Sequence, residues 1–183
     1  MNLTYIILGL VGVIFLWVIF AYNSFVSLVN QTKNAWADID VQLKRRADLI
    51  PNLVEVVKGY AKHEKKVFTD VTVARTAVMS AQNPAAAAEA NNMLAGALKS
   101  LFAVAENYPQ LRASENFAKL QSDLTDTENK IEAARRFYNA NVRELNIKIE
   151  SFPYNLLASI FGFRRQEFFQ TEEENRAAVK VSL

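Results

Sequence analysis

From Leu3 to Tyr22 the chain reads LTYIILGLVGVIFLWVIFAY, and no charged side chain precedes Lys33. A helix of that length spans roughly 30 Å, the thickness of a bilayer's hydrocarbon core. Beyond it, apolar residues recur at spacings of three and four. One series runs Ile50, Leu53, Val54, Val57, Tyr60, then Val67, Val71, Ala74 and Val78. A second runs Phe117, Leu120, Leu124, Thr127, Ile131, Ala134, Tyr138, Val142, Leu145 and Ile149. That period predicts long helices with a narrow buried seam. No segment alternates with period two, so strands are not expected.

Punctuation sets the expected boundaries. Pro51 starts a helix, where its missing N–H costs nothing, or kinks a continuous one. Asn83-Pro84, Asn107-Tyr108-Pro109 and Phe152-Pro153 mark further breaks. The pattern predicts helices near Leu3–Ala47, Ile50–Ala81, Ala85–Glu106 and Leu111–Ser151. Short connections favour antiparallel neighbours. The expected fold is all-α: a transmembrane helix followed by an antiparallel up-and-down bundle of about four long helices. Four parts follow: 1–22 as tail and transmembrane helix, 23–151 as bundle, 152–169 as an aromatic membrane-proximal or capping segment, and 170–183 as a polar tail.

The apolar run is read as an uncleaved anchor. A signal peptide would carry a basic n-region, a shorter apolar stretch and a small-x-small site, and this end has none of these. Trp17 and Tyr22 suit the headgroup region. Lys33, Lys44, Arg45 and Arg46 follow the span while nothing basic precedes it, which favours an outside N-terminus and a cytoplasmic bundle; the opposite orientation remains the alternative. The segment from Phe152 to Phe169 joins apolar bulk to Arg164 and Arg165. With Phe161 and Phe163 it reads as an interfacial contact with lipid, or as a cap over the bundle's open end.

The chain has 183 residues, a net charge of +2, one His and no Cys. Disulfide and thiol chemistry are excluded. The balanced charge shows no nucleic-acid footprint. His63-Glu64 would begin a zinc-binding H-E-x-x-H, but Val67 stands where the second His is required, and His63 reads as a solvated residue. Asp40 and Lys44 form an i,i+4 pair, and the Asp38–Arg46 stretch reads as a solvated face. Glu172, Glu173 and Glu174 lie in a polar context unsuited to acid–base catalysis. No metal or cofactor is expected. Asn recurs along the helices at Asn129, Asn139, Asn141 and Asn146. A poor helix former there reads as inter-helix hydrogen bonding, or as capping and exposed amides.

A longer set of residues carries a resemblance. Asn30-Gln31-Thr32-Lys33-Asn34-Ala35-Trp36-Ala37-Asp38-Ile39-Asp40 leads through Lys44-Arg45-Arg46 into Asp48-Leu49-Ile50-Pro51-Asn52. Lys58-Gly59-Tyr60, Asn107-Tyr108-Pro109, Thr127-Glu128-Asn129, Ala134-Arg135, Tyr138-Asn139, Phe152-Pro153 and Gly162-Phe163 follow in order. This closely resembles the LemA family over nearly the whole chain. The motif positions are Trp36, Asp38, Asp40, Arg45, Arg46, Pro51, Asn52, Tyr60, Asn107, Tyr108, Pro109, Asn129, Arg135, Tyr138 and Asn139. The resemblance implies a bacterial inner-membrane protein with one span and a helical bundle, and it implies no activity or cofactor. The ending Val179-Lys180-Val181-Ser182-Leu183 departs from the family's Pro-x-Val-x-aromatic close. The functional expectation is a non-catalytic membrane scaffold, a homo-oligomer in contact with lipid. The alternative is a tethered module that recruits a membrane or cytoplasmic protein partner.

Overall fold

The computed structural model describes residues 3–170. Within them lie helices α1 (Leu3–Tyr60), α2 (Lys65–Ser80), α3 (Pro84–Glu106), α4 (Pro109–Arg112), α5 (Glu115–Glu150) and α6 (Tyr154–Phe161), with no strand among the described residues. The four long ones alternate in direction, so α5 returns the chain toward the end from which the bundle rises. The residues of the 170–183 tail beyond Gln170 lie outside the described residues.

The expected break between Ala47 and Ile50 does not occur. Helix α1 runs unbroken through Pro51 for 58 residues, about 87 Å at the helical rise. A proline inside a helix deprives the carbonyl four residues back of its donor. That carbonyl belongs to Ala47, and Arg75 Nε of α2 donates to it at 2.8 Å. The exposed face of Pro51 then leaves its ring in solvent. The chain breaks instead at Ala61–Glu64, where Glu64 N–H donates to Ala61 O at 3.3 Å. The expected Ile50–Ala81 helix is therefore the last turns of α1 plus α2.

Other boundaries follow local chemistry. Asn83 caps α3 by accepting from Ala86 N–H at 2.8 Å, and Pro84 takes the first helical position. Pro109 likewise opens the single turn α4, so the expected Leu111 start gives way to α4 and then α5.

Helices α1 and α5 pair along their length. Ser24 meets Lys148, Trp36 meets Tyr138 and Arg46 meets Glu128. Each step up one helix matches a near-equal step down the other, as an antiparallel pair requires. Buried positions on α1 run Phe25, Leu28, Thr32, Ala35, Ile39, Leu43, Arg46, Ile50, Leu53, Val57. Those on α5 include Phe117, Leu124, Thr127, Ile131, Tyr138, Val142 and Leu145. Each fully buried apolar side chain contributes about 1.5–3 kcal/mol. The α2–α3 hairpin covers the upper part of this seam through Phe68, Val71, Ala74, Leu94, Leu98 and Leu101. A smaller core near the membrane end joins Ala21, Phe25, Leu28 and Leu145 to Leu157 and Ala158 of α6.

Gly162 ends α6 at φ 73°, in the left-handed region that favours glycine. Phe163 N–H donates back to Ala158 O at 2.9 Å, closing the last turn. Residues 163–170 then run without helix along the α1–α5 pair.

Candidate functional site at the membrane end and along the α1–α5 seam

Helix α1 is the one described helix long and apolar enough to cross a membrane, and no part of its most apolar window is buried against protein. Its side chains are exposed all round from Leu3 to Leu16, and Trp17 and Val18 are half-buried against the lower core. Buried positions begin at Ala21. The same helix therefore changes solvent at that point, from a face that suits lipid to a stripe that suits a core.

Aromatic contacts dock α6 beside this transition. Tyr154 lies 5.7 Å from Trp17 and Phe161 lies 4.9 Å from Tyr22, centroid to centroid. Phe163 stacks on Phe25 at 4.7 Å and 18°. Lys148 reaches Ser24 and sits over the Tyr154 ring at 4.9 Å. Of the residues expected at lipid, Phe161 is exposed and Phe163 is half-buried in this stack. Arg164 and Arg165 are exposed, and Arg165 pairs with Glu150 at 3.0 Å.

Above that point two asparagines hold the extended strap. Asn146 Nδ2 donates to Gln166 O at 2.9 Å and its Oδ1 accepts from Gln166 N–H at 2.9 Å. Asn139 does the same with Phe169, at 3.0 and 2.9 Å. The spacing explains the match. Seven helical residues rise about 10.5 Å and three extended residues span about 10 Å, so one heptad of α5 meets every third strap residue. A side-chain amide can present an N–H and a carbonyl oxygen together, which match the C=O and N–H that one residue of an extended chain turns to the same side. Tyr138 Oη donates to Glu167 O at 2.8 Å between them. Burial, aided by the charge of Glu167, pushes its phenol up to about 12. Phe169 is fully buried, 6.3 Å from Trp36.

Further up the seam sits a buried charge. Arg46 Nη1 donates to Asn91 Oδ1 of α3 at 2.8 Å and forms an ion pair with Glu128 Oε2 of α5 at 2.6 Å. Burial lowers the guanidinium's pKa, and Glu128 opposes that shift. Arg46 Nε and Gln42 Oε1, one turn apart, are buried with no hydrogen-bond partner among the described residues. The solvated-face reading of the Asp38–Arg46 stretch therefore fails at Arg46. The signal that could have found it is register: Ile39, Leu43, Arg46, Ile50 keeps the four–three–four step of the core. The strap contacts had no such signal, because they join residues 20 and 30 apart in sequence.

The remaining motif positions are dispersed. Asp38, Arg45, Pro51, Asn52, Tyr60 and Asn129 are exposed. Asp40 pairs with Lys44 at 2.6 Å. Asn107 follows the end of α3, Tyr108 is half-buried, and so is Arg135. The seam gathers Trp36, Arg46, Tyr138 and Asn139, whose contacts are structural. No group of three or more His, Asp or Glu residues is placed to hold a metal among the described residues. The carboxylates of Glu172–Glu174 lie outside them. An open groove of about 860 Å³ between α2 and α3 brings Asp70 and Glu89 to small apolar neighbours and Phe168, without a nucleophile–base pair.

An unburied apolar span, continuous with a four-helix core, defines a membrane-associated helical-bundle protein. Residues 35–183 match the LemA family, and the chain belongs to it. It is 29% identical to magnetosome protein MamQ 2 of Paramagnetospirillum magneticum, over 81% of this chain and 64% of that protein. It is 26% identical to magnetosome protein MamQ of Magnetospirillum gryphiswaldense, with the same shares. Protein LemA of Metamycoplasma hominis is 26% identical over 84% of this chain and 70% of its own length. The chain thus spans 64% of the length of these magnetosome relatives.

Proposed function

We propose that this protein is a non-catalytic scaffold of the bacterial inner membrane, which self-associates and organises the membrane around it. The observation that carries the reading is the continuity of α1. One helix supplies both the apolar span and the central stripe of the bundle core. A hinge between anchor and domain would let the bundle swivel; an unbroken helix transmits position and tilt, which suits a scaffold. The relatives named as magnetosome proteins support a role at a membrane. Lys33, Lys44 and Arg45 after the span favour a cytoplasmic bundle.

The chain lacks cysteine, so single thiols can be placed at will. In intact spheroplasts, Asn2→Cys reacts with an impermeant thiol reagent and Asn83→Cys does not. The reverse pattern overturns the orientation. The mass of the full chain in nanodiscs tests self-association. A multiple of the protomer supports the scaffold. A strict monomer favours the alternative, a tethered recruiting module, for which the open α2–α3 groove with exposed Val73 and Met93 is the available surface.

A further inference from the structure

We infer that α6 is a second membrane contact, an interfacial helix whose outer face, Leu156 and Ile160, enters with the preceding Phe152 the same bilayer leaflet from which α1 emerges. The inference rests on α1 spanning the bilayer, and it fixes which residues meet lipid beside that span.

Depth comes from the aromatic contacts. Phe161 meets Tyr22, the last residue of the apolar run, at 4.9 Å. Tyr154 sits between Trp17 and Phe25, at 5.7 and 6.1 Å, two rings whose positions on α1 are about 12 Å apart along the axis. Both ends of α6 therefore lie near the level where the apolar run ends. Interfacial helices lie at that boundary of headgroups and acyl chains, with their apolar face buried about 5–10 Å.

The faces of α6 agree. Leu157 and Ala158 point inward and are buried against α1 and α5. Leu156 and Ile160 stand one turn apart on the opposite side, 56% and 74% exposed, and Phe152 before them is 79% exposed. No charge occurs from Ser151 to Phe163. Charge returns just beyond Phe163, which stacks on Phe25: Arg164 and Arg165 are exposed, and Lys148 lies over the Phe25 and Tyr154 rings. Basic groups above an apolar face suit anionic headgroups. The contact differs from the one expected of the sequence, because Phe163 is stacked on Phe25 and Phe168 and Phe169 are packed into the bundle. Two contacts, α1 and α6, would hold the bundle at one tilt.

The test uses the full chain in nanodiscs of phosphatidylcholine with phosphatidylglycerol. Nitroxide labels go on three single-cysteine variants: Leu10→Cys in the span, Ile160→Cys on α6, and Phe137→Cys on the exposed side of α5. Collision with oxygen reports lipid and collision with a water-soluble nickel chelate reports solvent. The Ile160 label should resemble that at Leu10, with high oxygen and low nickel access, while the Phe137 label shows the reverse. High nickel access at Ile160 with a lipid-buried Leu10 overturns the α6 contact and leaves the span intact. High nickel access at both overturns the span as well. Low access to both reagents at Ile160 means that protein covers the face, which also overturns the lipid contact.

Discussion

Towards its upper end the α1–α5 seam buries a charge, Arg46, while towards the membrane it holds the buried amide of Asn146 and the half-buried one of Asn139. The two sites differ in how completely they are satisfied. Each asparagine pairs an amide N–H and its carbonyl oxygen with the C=O and N–H of one strap residue. Arg46 has a half-exposed carboxylate and one amide for partners, and its Nε remains unpaired. A neutral amide facing an extended chain can meet both polar backbone groups of one residue. A guanidinium with five donors in a helical seam is much harder to satisfy. The strap site therefore fixes where the C-terminal segment goes, whereas the Arg46 site joins α1, α3 and α5 at a cost in desolvation.

The largest effect should come from breaking the charged site on its acidic side. Glu128→Ala leaves Arg46 buried without a counter-charge and should destabilise the bundle by about 2–3 kcal/mol, below the full penalty because Glu128 is half exposed. Arg46→Met keeps the length, removes the unpaired donor, and should cost about 1 kcal/mol or less. Chemical denaturation of the full chain in detergent ranks the two. If Arg46→Met proves the worse variant, the guanidinium is a net stabiliser and the contrast with the strap collapses.

The strap should respond locally. Asn146→Ala removes two hydrogen bonds and leaves the N–H and C=O of Gln166 without this partner, a loss of about 1–3 kcal/mol. Hydrogen exchange should quicken at Gln166 while Phe169, held by Asn139, stays protected. Equal loss at both would make the strap one cooperative unit. Tyr138 adds a pH test at this site. Its folded pKa is raised from 10.0 to about 12, so its contribution is fully present below pH 10 and is lost as pH rises through about 12. Tyr138→Phe should flatten that alkaline slope.

Much of the seam was legible because burial follows period. Phe117, Leu124, Thr127, Ile131, Tyr138, Val142 and Leu145 fall where spacing put them, and the span is visible in its lack of charge. The break at Ala61–Glu64 was not legible. Gly59 falls inside the last turn of α1 and not after it, and the step from Tyr60 to Val67 is one heptad, so the pattern runs on across the turn. The strap was hidden for a different reason. An asparagine on a helix shows that something polar must be met, but not that the partner is backbone 20 or 30 residues away.

Pro51, which the sequence left as either a helix start or a point within a continuous helix, sharpens the comparison at the smallest scale. Proline inside a helix costs about 3 kcal/mol relative to alanine, partly through the orphaned carbonyl. Here Arg75 supplies the missing donor to Ala47 O, so this arginine meets a need the proline creates. Pro51→Ala restores an N–H to that carbonyl and should stabilise the protein. Arg75→Ala should destabilise it while Pro51 is present, and by less once Pro51 is alanine. The coupling in a double-mutant cycle should be about 1 kcal/mol, the worth of one hydrogen bond. A coupling near zero would mean that Arg75 meets Ala47 by proximity alone. A clear coupling would place Arg75 with the asparagines, as a donor matched to one backbone group, and leave Arg46 as the unmatched case.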